Sequence, residues 1–262
     1  METKANESGN IAVNPGDVVT GFSLTVAESK RLIAKGIKQH PMVQEKLKSG
    51  MIVIARGSTN TYVAEELIDL QAPHGKFVTG NISNDTVSMS GEKISEIVII
   101  DGKQVEMPFK DALAALKEGD LIFKGGNLLN YERKQAAVTI GSEDGGTVRR
   151  LQPYSAGGPA HLIVPIGLEK EIGGDLSDYA KILTSNIQRD GVVPRLIIHQ
   201  NGEIFTEIEA IKLFGNVNVI PFAAGGIAGN EGGISFAVYG APQEVEKIKT
   251  LIASIKGEPA FL

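Results

Sequence analysis

The 262-residue sequence contains no cysteine and no tryptophan. The lack of cysteine excludes disulfide bonds, thiolate nucleophiles and cysteine-ligated metal sites. The lack of tryptophan, with only 5% aromatic residues, argues against a stacking surface for single-stranded nucleic acid or sugar rings. Glycine is plentiful, at 31 residues, so close approach of the main chain to a ligand is the more promising kind of site.

Strong charge and long apolar runs are also absent. The formal net charge is −5 with no basic block, which argues against extended contact with nucleic acid. No apolar run reaches the roughly 20 residues of a membrane span, and residues 1–10 lack an apolar signal core. The four histidines are scattered, and their spacing predicts no metal site. We therefore expect a cytoplasmic protein without a cofactor or metal, with a small anionic metabolite as its partner, no nucleic acid, no membrane, and possible homo-oligomers.

Apolar runs without alternation recur between helical patterns. Such runs are typical of parallel strands covered on both faces, and they begin at residue 51 and recur at 96–100, 120–123 and 161–165. This order predicts the α/β class, with an open, mostly parallel doubly wound sheet whose ligands bind at the carboxyl ends of its strands.

The pattern changes near residue 190. From there a strand, a helix, two strands and a last helix are predicted, which is most of a ferredoxin-like α+β unit. We expect a flexible N-terminal tail at 1–20, an α/β anion-binding domain at 21–190 and a small ferredoxin-like α+β domain at 191–262.

The segment from Met51 to Leu67 is the most informative part of the sequence. It predicts a buried strand that turns at a glycine into a helix opened by hydroxyl and amide side chains. A helix start of this kind presents unpaired N–H groups and the positive end of the helix dipole, which suits an anion. The candidate anion-binding residues are Gly57, Ser58, Thr59 and Asn60. The alternative is that Ser58 and Thr59 only cap a surface helix.

A second candidate lies at the end of the strand at 120–123. Lys124 follows this strand, two glycines permit a tight turn, and a helix is predicted from Leu128 to Lys134. Lys124 could hold a phosphate or an oxyanion, with Glu132 nearby to move a proton. The main-chain candidates here are Gly125, Gly126 and Asn127. The alternative is a solvated lysine and a charged helix face.

Taken in order, these segments resemble a known group. Gly57-Ser-Thr-Asn60, Ile100-Asp-Gly102, Lys124-Gly-Gly-Asn127 and Glu132-Arg-Lys134 are similar to the motifs of type A ribose-5-phosphate isomerases. Glucosamine-6-phosphate deaminases, sugar-responsive regulator domains and coenzyme A transferases share that fold. The resemblance implies that residues 57–60 and 124–127 hold a sugar phosphate, that Asp101 aids ring opening, and that Glu132 moves the proton while Lys124 stabilises the oxyanion.

The sequence also departs from that family. Where the isomerases have D-G-A-D-E, this chain has Asp101-Gly-Lys-Gln-Val-Glu106, which lacks the second aspartate. Two alternatives therefore stay open beside isomerase-like proton transfer on a phosphorylated sugar. One is acyl transfer to coenzyme A, with Glu231 in the glycine-rich loop at 223–233 as nucleophile. The other is a sugar-phosphate-binding regulatory module without turnover.

Overall fold

A computed structural model describes residues 13–71, 73–78, 94–142, 144–188, 190–191 and 193–262. These residues form a mixed α/β fold with eight α-helices and twelve β-strands. The helices are α1 (Val26–Gln39), α2 (Pro41–Lys48), α3 (Ser58–Ile68), α4 (Phe109–Ala115), α5 (Gly146–Ser155), α6 (Leu176–Thr184), α7 (Glu207–Phe214) and α8 (Pro242–Ile255). The strands are β1 (Val18–Leu24), β2 (Met51–Ile54), β3 (Ile97–Ile100), β4 (Lys103–Val105), β5 (Leu121–Phe123), β6 (Leu128–Asn130), β7 (Gln135–Ile140), β8 (His161–Pro165), β9 (Arg195–Ile198), β10 (Glu203–Phe205), β11 (Asn218–Ala224) and β12 (Ile234–Gly240).

The central sheet has six strands in the order β10-β8-β5-β2-β3-β4. The first four strands in this order run parallel, whereas β3 is antiparallel to β2 and β4 is antiparallel to β3. The expected parallel arrangement is therefore present in four strands, and the expectation for β3 is wrong. The four parallel strands bring their carboxyl ends to one edge of the sheet, which we call the carboxyl edge.

Helix α1 follows Thr25, which with Glu28 has the spacing that predicts a capping box. Thr25 Oγ1 accepts a hydrogen bond from the Glu28 N–H (3.2 Å), and Glu28 Oε2 accepts one from the Thr25 N–H (3.0 Å). This capping box satisfies two N–H groups at the helix start. Helix α1 packs against α3 and α7, and Gly36 permits close contact, because a Cβ there would lie 2.5 Å from the Ala210 Cβ.

Two smaller antiparallel sheets complete the fold, with strand orders β1-β12-β11 and β6-β7-β9. The segment from residue 191 contributes strands to all three sheets, since β9 pairs with β7, β10 with β8, and β12 with β1. The ferredoxin-like order predicted for 191–262 thus does not form a sheet of its own. Residues 1–12 of the predicted tail lie outside the described residues, and Val18 already belongs to β1.

Beside a small second cluster of Ala137, Leu176 and Leu196, one main hydrophobic core joins these layers. It extends from Leu24 in β1 through the central sheet to Ile255 at the end of α8, so both ends of the described chain pack on the same core. Among the described helices, none is long and apolar enough to cross a membrane.

Candidate functional site

A cleft of about 710 Å³ lies at the carboxyl edge. The loops after β2 and β5 form one side of it, while β7 and the start of α5 form the other. The residues that line it are 56–60, 124–127, 138–142, 146–148, Val78, Lys170 and Pro194. All seven predicted anion-binding residues and Lys124 are therefore brought together in one cleft.

The first helix start at the cleft is that of α3. Gly57 is its N-cap and provides no side-chain cap, and the Gly57 N–H donates to Phe77 O (2.9 Å). Among the described residues, the N–H groups of Ser58, Thr59 and Asn60 have no acceptor. A helix N-terminus with three free donors concentrates the positive end of the dipole at this side of the cleft.

Asn60 differs from its neighbours because it is fully buried. Its Nδ2 donates to Ala55 O (2.7 Å) and to Phe123 O (3.2 Å), so the side chain ties the end of β2 to the end of β5. Its Oδ1 is buried without a partner in the described part of the chain. Asn60 therefore aligns the two strand ends that carry Gly57 and Lys124.

The ammonium group of Lys124 lies in a poorly solvated position. Its Nζ donates to the main-chain carbonyl of Arg56 (3.2 Å). Burial lowers the pKa of Lys124 to about 8; the negative charge of Glu96 opposes this shift and the positive charge of Arg56 adds to it. Arg56 in turn pairs with Glu96 (Nε to Oε1, 3.2 Å). An incompletely neutralised cation at a helix start attracts an anion.

The loop at 124–127 is held tightly by its surroundings. A Cβ on Gly126 would lie 2.9 Å from Ile166 Cδ1 and 3.0 Å from Ala137 O, so only glycine fits there without displacement. Asn127 Oδ1 accepts hydrogen bonds from the N–H (3.0 Å) and the hydroxyl (3.1 Å) of Thr139. These contacts fix the loop that presents Lys124.

His199 holds the same loop through a hydrogen bond to its main chain. It is buried, and its Nε2 lies 3.1 Å from Gly125 O. Burial lowers the pKa of His199 to about 4, and the nearby charge of Lys124 adds to this effect. The imidazole is therefore neutral at physiological pH, with Nε2–H as the donor to the carbonyl.

The second helix start at the cleft is that of α5. Gly145 and Gly146 adopt positive φ angles of 80° and 57°, and Asp144 Oδ1 accepts the Gly146 N–H (2.9 Å). Thr147 and Val148 line the cleft in the first turn. Two helix N-termini thus meet Lys124, Arg56 and Lys170 around one space, and this arrangement favours a ligand with at least one full negative charge.

No family model, curated protein or solved structure matches this chain. The chemistry of the site therefore follows from its own residues.

Two of the three predicted catalytic residues lie away from this cleft. Asp101 and Gly102, with φ angles of 50° and 76°, form the two-residue turn between β3 and β4, and Asp101 Oδ1 accepts the Gly50 N–H (2.9 Å). Met51 pairs with Ile100, so Asp101 lies at the amino end of β2. Asp101 therefore does not share an edge with Gly57 and Lys124, so the role in ring opening that the resemblance implies for it in this cleft is not supported by its position.

Glu132 is not brought to Lys124 either. The predicted helix at 128–134 is replaced by β6 and an exposed turn, in which Asn130 Oδ1 accepts the Arg133 N–H (2.9 Å) and Lys134 has a φ of 51°. Glu132 is exposed in that turn and does not line the cleft. Glu231 is likewise exposed, in the loop between β11 and β12, where it accepts the Gly229 N–H (2.8 Å).

Sequence reasoning missed Glu96, Lys170 and His199. Glu96 and His199 come from parts of the chain distant from the residues they contact, and only the folded sheet brings them there. In the described residues, no group of three or more His, Asp or Glu could hold a metal ion. A second concavity, beside Arg31, is less suited to a ligand, because Arg31 is already paired with Glu65, Glu66 and Glu258.

Proposed function

We propose that the cleft binds a small phosphorylated or otherwise anionic metabolite. The observation that carries this proposal is the convergence of Lys124 with the N-termini of α3 and α5 on one space of about 710 Å³. That volume suits a sugar phosphate or a similar metabolite. The free N–H groups at residues 58–60 would hold the anion, and Lys124 would neutralise it.

We also propose that the central sheet is the open, doubly wound kind, with its ligand where the parallel strands end. Its support is the four-strand parallel order β10-β8-β5-β2 and the position of the cleft at their carboxyl ends. Ligands bind at this edge in open α/β sheets.

Isomerase-like proton transfer on a phosphorylated sugar is the reaction that we propose for this cleft. Glu96 supports this reaction, because its carboxylate is close enough to Lys124 to raise the pKa of the lysine. In this proposal Glu96, which is paired with Arg56 and does not itself line the cleft, moves the proton in place of the distant Glu132, while Lys124 stabilises the oxyanion of the enediolate. The Arg56 ion pair would have to open for Glu96 to reach the substrate.

The binding proposal is tested by thermal shift with inorganic phosphate, sulfate, sugar phosphates and coenzyme A esters. A ligand at about 100 times its Kd should stabilise the fold by roughly 2.7 kcal/mol. Ser58→Glu should abolish the shift, because it places a negative charge at the start of α3. Ser177→Glu is the matched control, since it adds the same charge at the start of α6, outside the cleft.

If Ser58→Glu and Ser177→Glu respond to every ligand as the wild type does, the binding proposal is wrong. The reaction is tested separately by solvent deuterium exchange into a sugar phosphate that binds. Glu96→Gln should reduce this exchange by about 10²–10⁴ in rate. Binding without any exchange would favour the regulatory module.

A further inference from the structure

A pair of buried carboxyl groups lies beside the cleft, where β8 and β10 end. Glu169 is in the short 3₁₀ helix Leu168–Lys170 that follows β8, and Glu207 is the first residue of α7, which begins after β10 and the N-cap Thr206. Glu207 is fully buried, and only 10% of the Glu169 side chain is exposed. Both residues are at the carboxyl edge, in the same row of strand ends as Gly57 and Lys124.

Each of the two carboxyl groups has one oxygen bonded and one oxygen without a partner. Glu207 Oε2 accepts the Leu168 N–H (3.0 Å), and Glu169 Oε1 pairs with Lys170 Nζ (3.3 Å). Glu207 Oε1 and Glu169 Oε2 are buried and form no hydrogen bond in the described structure. A buried polar atom left in this way costs about 1–3 kcal/mol.

Both unpartnered oxygens face the same small space above Gly167. A Cβ built on Gly167 would overlap Glu169 Oε2 and would lie 3.1 Å from Glu207 Oε1. Two carboxylates that face each other in a buried place repel, whereas a single shared proton makes one the donor and the other the acceptor. One proton shared between the two oxygens would satisfy both of them at once.

The charged and polar groups around the pair come from two elements. Lys30 and Ser29 face it from α1, and Lys170 faces it from the 3₁₀ helix. Ser29 lies near Glu207 but forms no hydrogen bond with Oε1. Burial raises the pKa of Glu207 to about 7, and the negative charge of Glu169 adds to this increase. Burial lowers the pKa of Lys30 to about 8.

Lys170 connects the pair to the ligand site. It lines the cleft and also holds Glu169, so an anion bound beside it competes with Glu169 for its charge. Negative charge added at this position makes the remaining carboxyl groups hold a proton more strongly.

We propose that Glu169 and Glu207 form an acid pair that shares a single exchangeable proton, and that an anion bound in the cleft beside Lys170 raises the fraction of molecules in which the pair carries this proton, which is taken from solvent. The coupling rests on the proposed anion site, whereas the acid pair itself does not. Anion binding at this site is thus weaker at higher pH for a reason separate from the charge of Lys124.

The coupling is tested by titration calorimetry with sulfate at pH 7, in buffers of different ionisation enthalpy. Sulfate is the probe because its own charge is constant there. Lys124 and Lys30, with pKa values near 8, are each about nine-tenths protonated at pH 7. If sulfate binding protonates both lysines completely, they account for at most about 0.2 proton of the uptake per sulfate. The wild type should take up roughly 0.3–0.5 proton per sulfate, and Glu207→Gln less than about 0.2.

Glutamine suits this test because its amide reproduces the protonated pair. Its oxygen can accept the Leu168 N–H, and its N–H group can donate permanently to Glu169 Oε2. Glu169→Gln is the second variant and should also lose the uptake. Glu246→Gln, on the exposed surface of α8, is the control and should behave as the wild type.

The acid pair is tested without any ligand by urea unfolding between pH 5 and 8. The folded pKa of Glu207 is above its ordinary value of 4.5, so its stabilising protonation is complete below about pH 4.5 and is lost as the pH rises through about 7. The unfolding constant of the wild type should therefore rise between about 10- and 100-fold relative to that of Glu207→Gln. A constant ratio would overturn the acid pair, and equal proton uptake in both proteins would overturn the coupling. If sulfate does not bind the wild type, the anion site and the coupling fail together, and the urea series alone decides on the acid pair.

Discussion

Replacing Lys124 with methionine should make the protein more stable and its anion binding weaker. Methionine keeps the length of the side chain and removes an ammonium group that burial destabilises. The pKa of Lys124 is lowered from 10.5 to about 8, and a shift of that size corresponds to about 3 kcal/mol. The side chain is only partly shielded from the solvent in the cleft, so we expect Lys124→Met to gain ~1–2 kcal/mol at pH 7.

The gain depends on pH with a definite sign. A lysine whose folded pKa is lowered binds fewer protons when folded, so wild-type stability rises with pH between about 8 and 10.5. The advantage of Lys124→Met should shrink over that interval. Binding changes in the opposite direction, because a charge-assisted hydrogen bond contributes about 1.5–3 kcal/mol, and its loss should weaken sulfate binding about 10- to 100-fold.

Urea unfolding without ligand and calorimetry with sulfate measure these two effects. Lys181→Met is the control, since 77% of that lysine side chain is exposed and it lies outside the cleft. If Lys124→Met has the stability of the wild type and also its sulfate Kd, Lys124 is neither strained by burial nor part of an anion site, and the reasoning is refuted.

The same geometry leads to three further expectations. Sulfate affinity of the wild type should fall between pH 7.5 and 9, because Lys124 loses its proton as the pH passes about 8; calorimetry at constant ionic strength measures this, and an unchanged Kd would contradict it. Gly36→Ala should cost ~1–3 kcal/mol by overpacking against Ala210, whereas Gly173→Ala, which has nothing within 4 Å, should be nearly neutral in urea unfolding. Glu132→Gln should leave the sulfate Kd unchanged, since Glu132 is exposed outside the cleft; a tenfold loss would show that the turn reaches the ligand.

Local signals in the sequence predicted local structure well. The Thr25 capping box, the helix after Gly57 and the strand before Lys124 all depend on neighbouring residues, and each is confirmed. The direction of β3 could not be read in this way, because a strand buried on both faces has the same apolar pattern in either direction. Asp101-Gly102 is typical of a two-residue turn and indicates the hairpin of β3 and β4, but not the direction of β3 relative to β2.

The segment at 128–134 shows how pairing can override a helical pattern. Leu128 and Leu129 suit either structure, but pairing with Ala136 and Ala137 in β7 makes them a strand. The catalytic role predicted for Glu132 depended on the helix and is therefore not supported by its position. The residues that the sequence assigned to the anion site do lie in one cleft, since helix starts and glycine turns are properties of short segments.

The pairing of β1 with β12 has a consequence for synthesis of the chain. All seven residues of β1 are in register with β12, from Val18 opposite Gly240 to Leu24 opposite Ile234. At translation rates of about 5–20 residues per second, β1 leaves the ribosome roughly 10–40 s before its partner strand. Strand β1 therefore remains without its partner strand while residues 25–233 are made, and this interval is when we expect a nascent chain to depend most on chaperones.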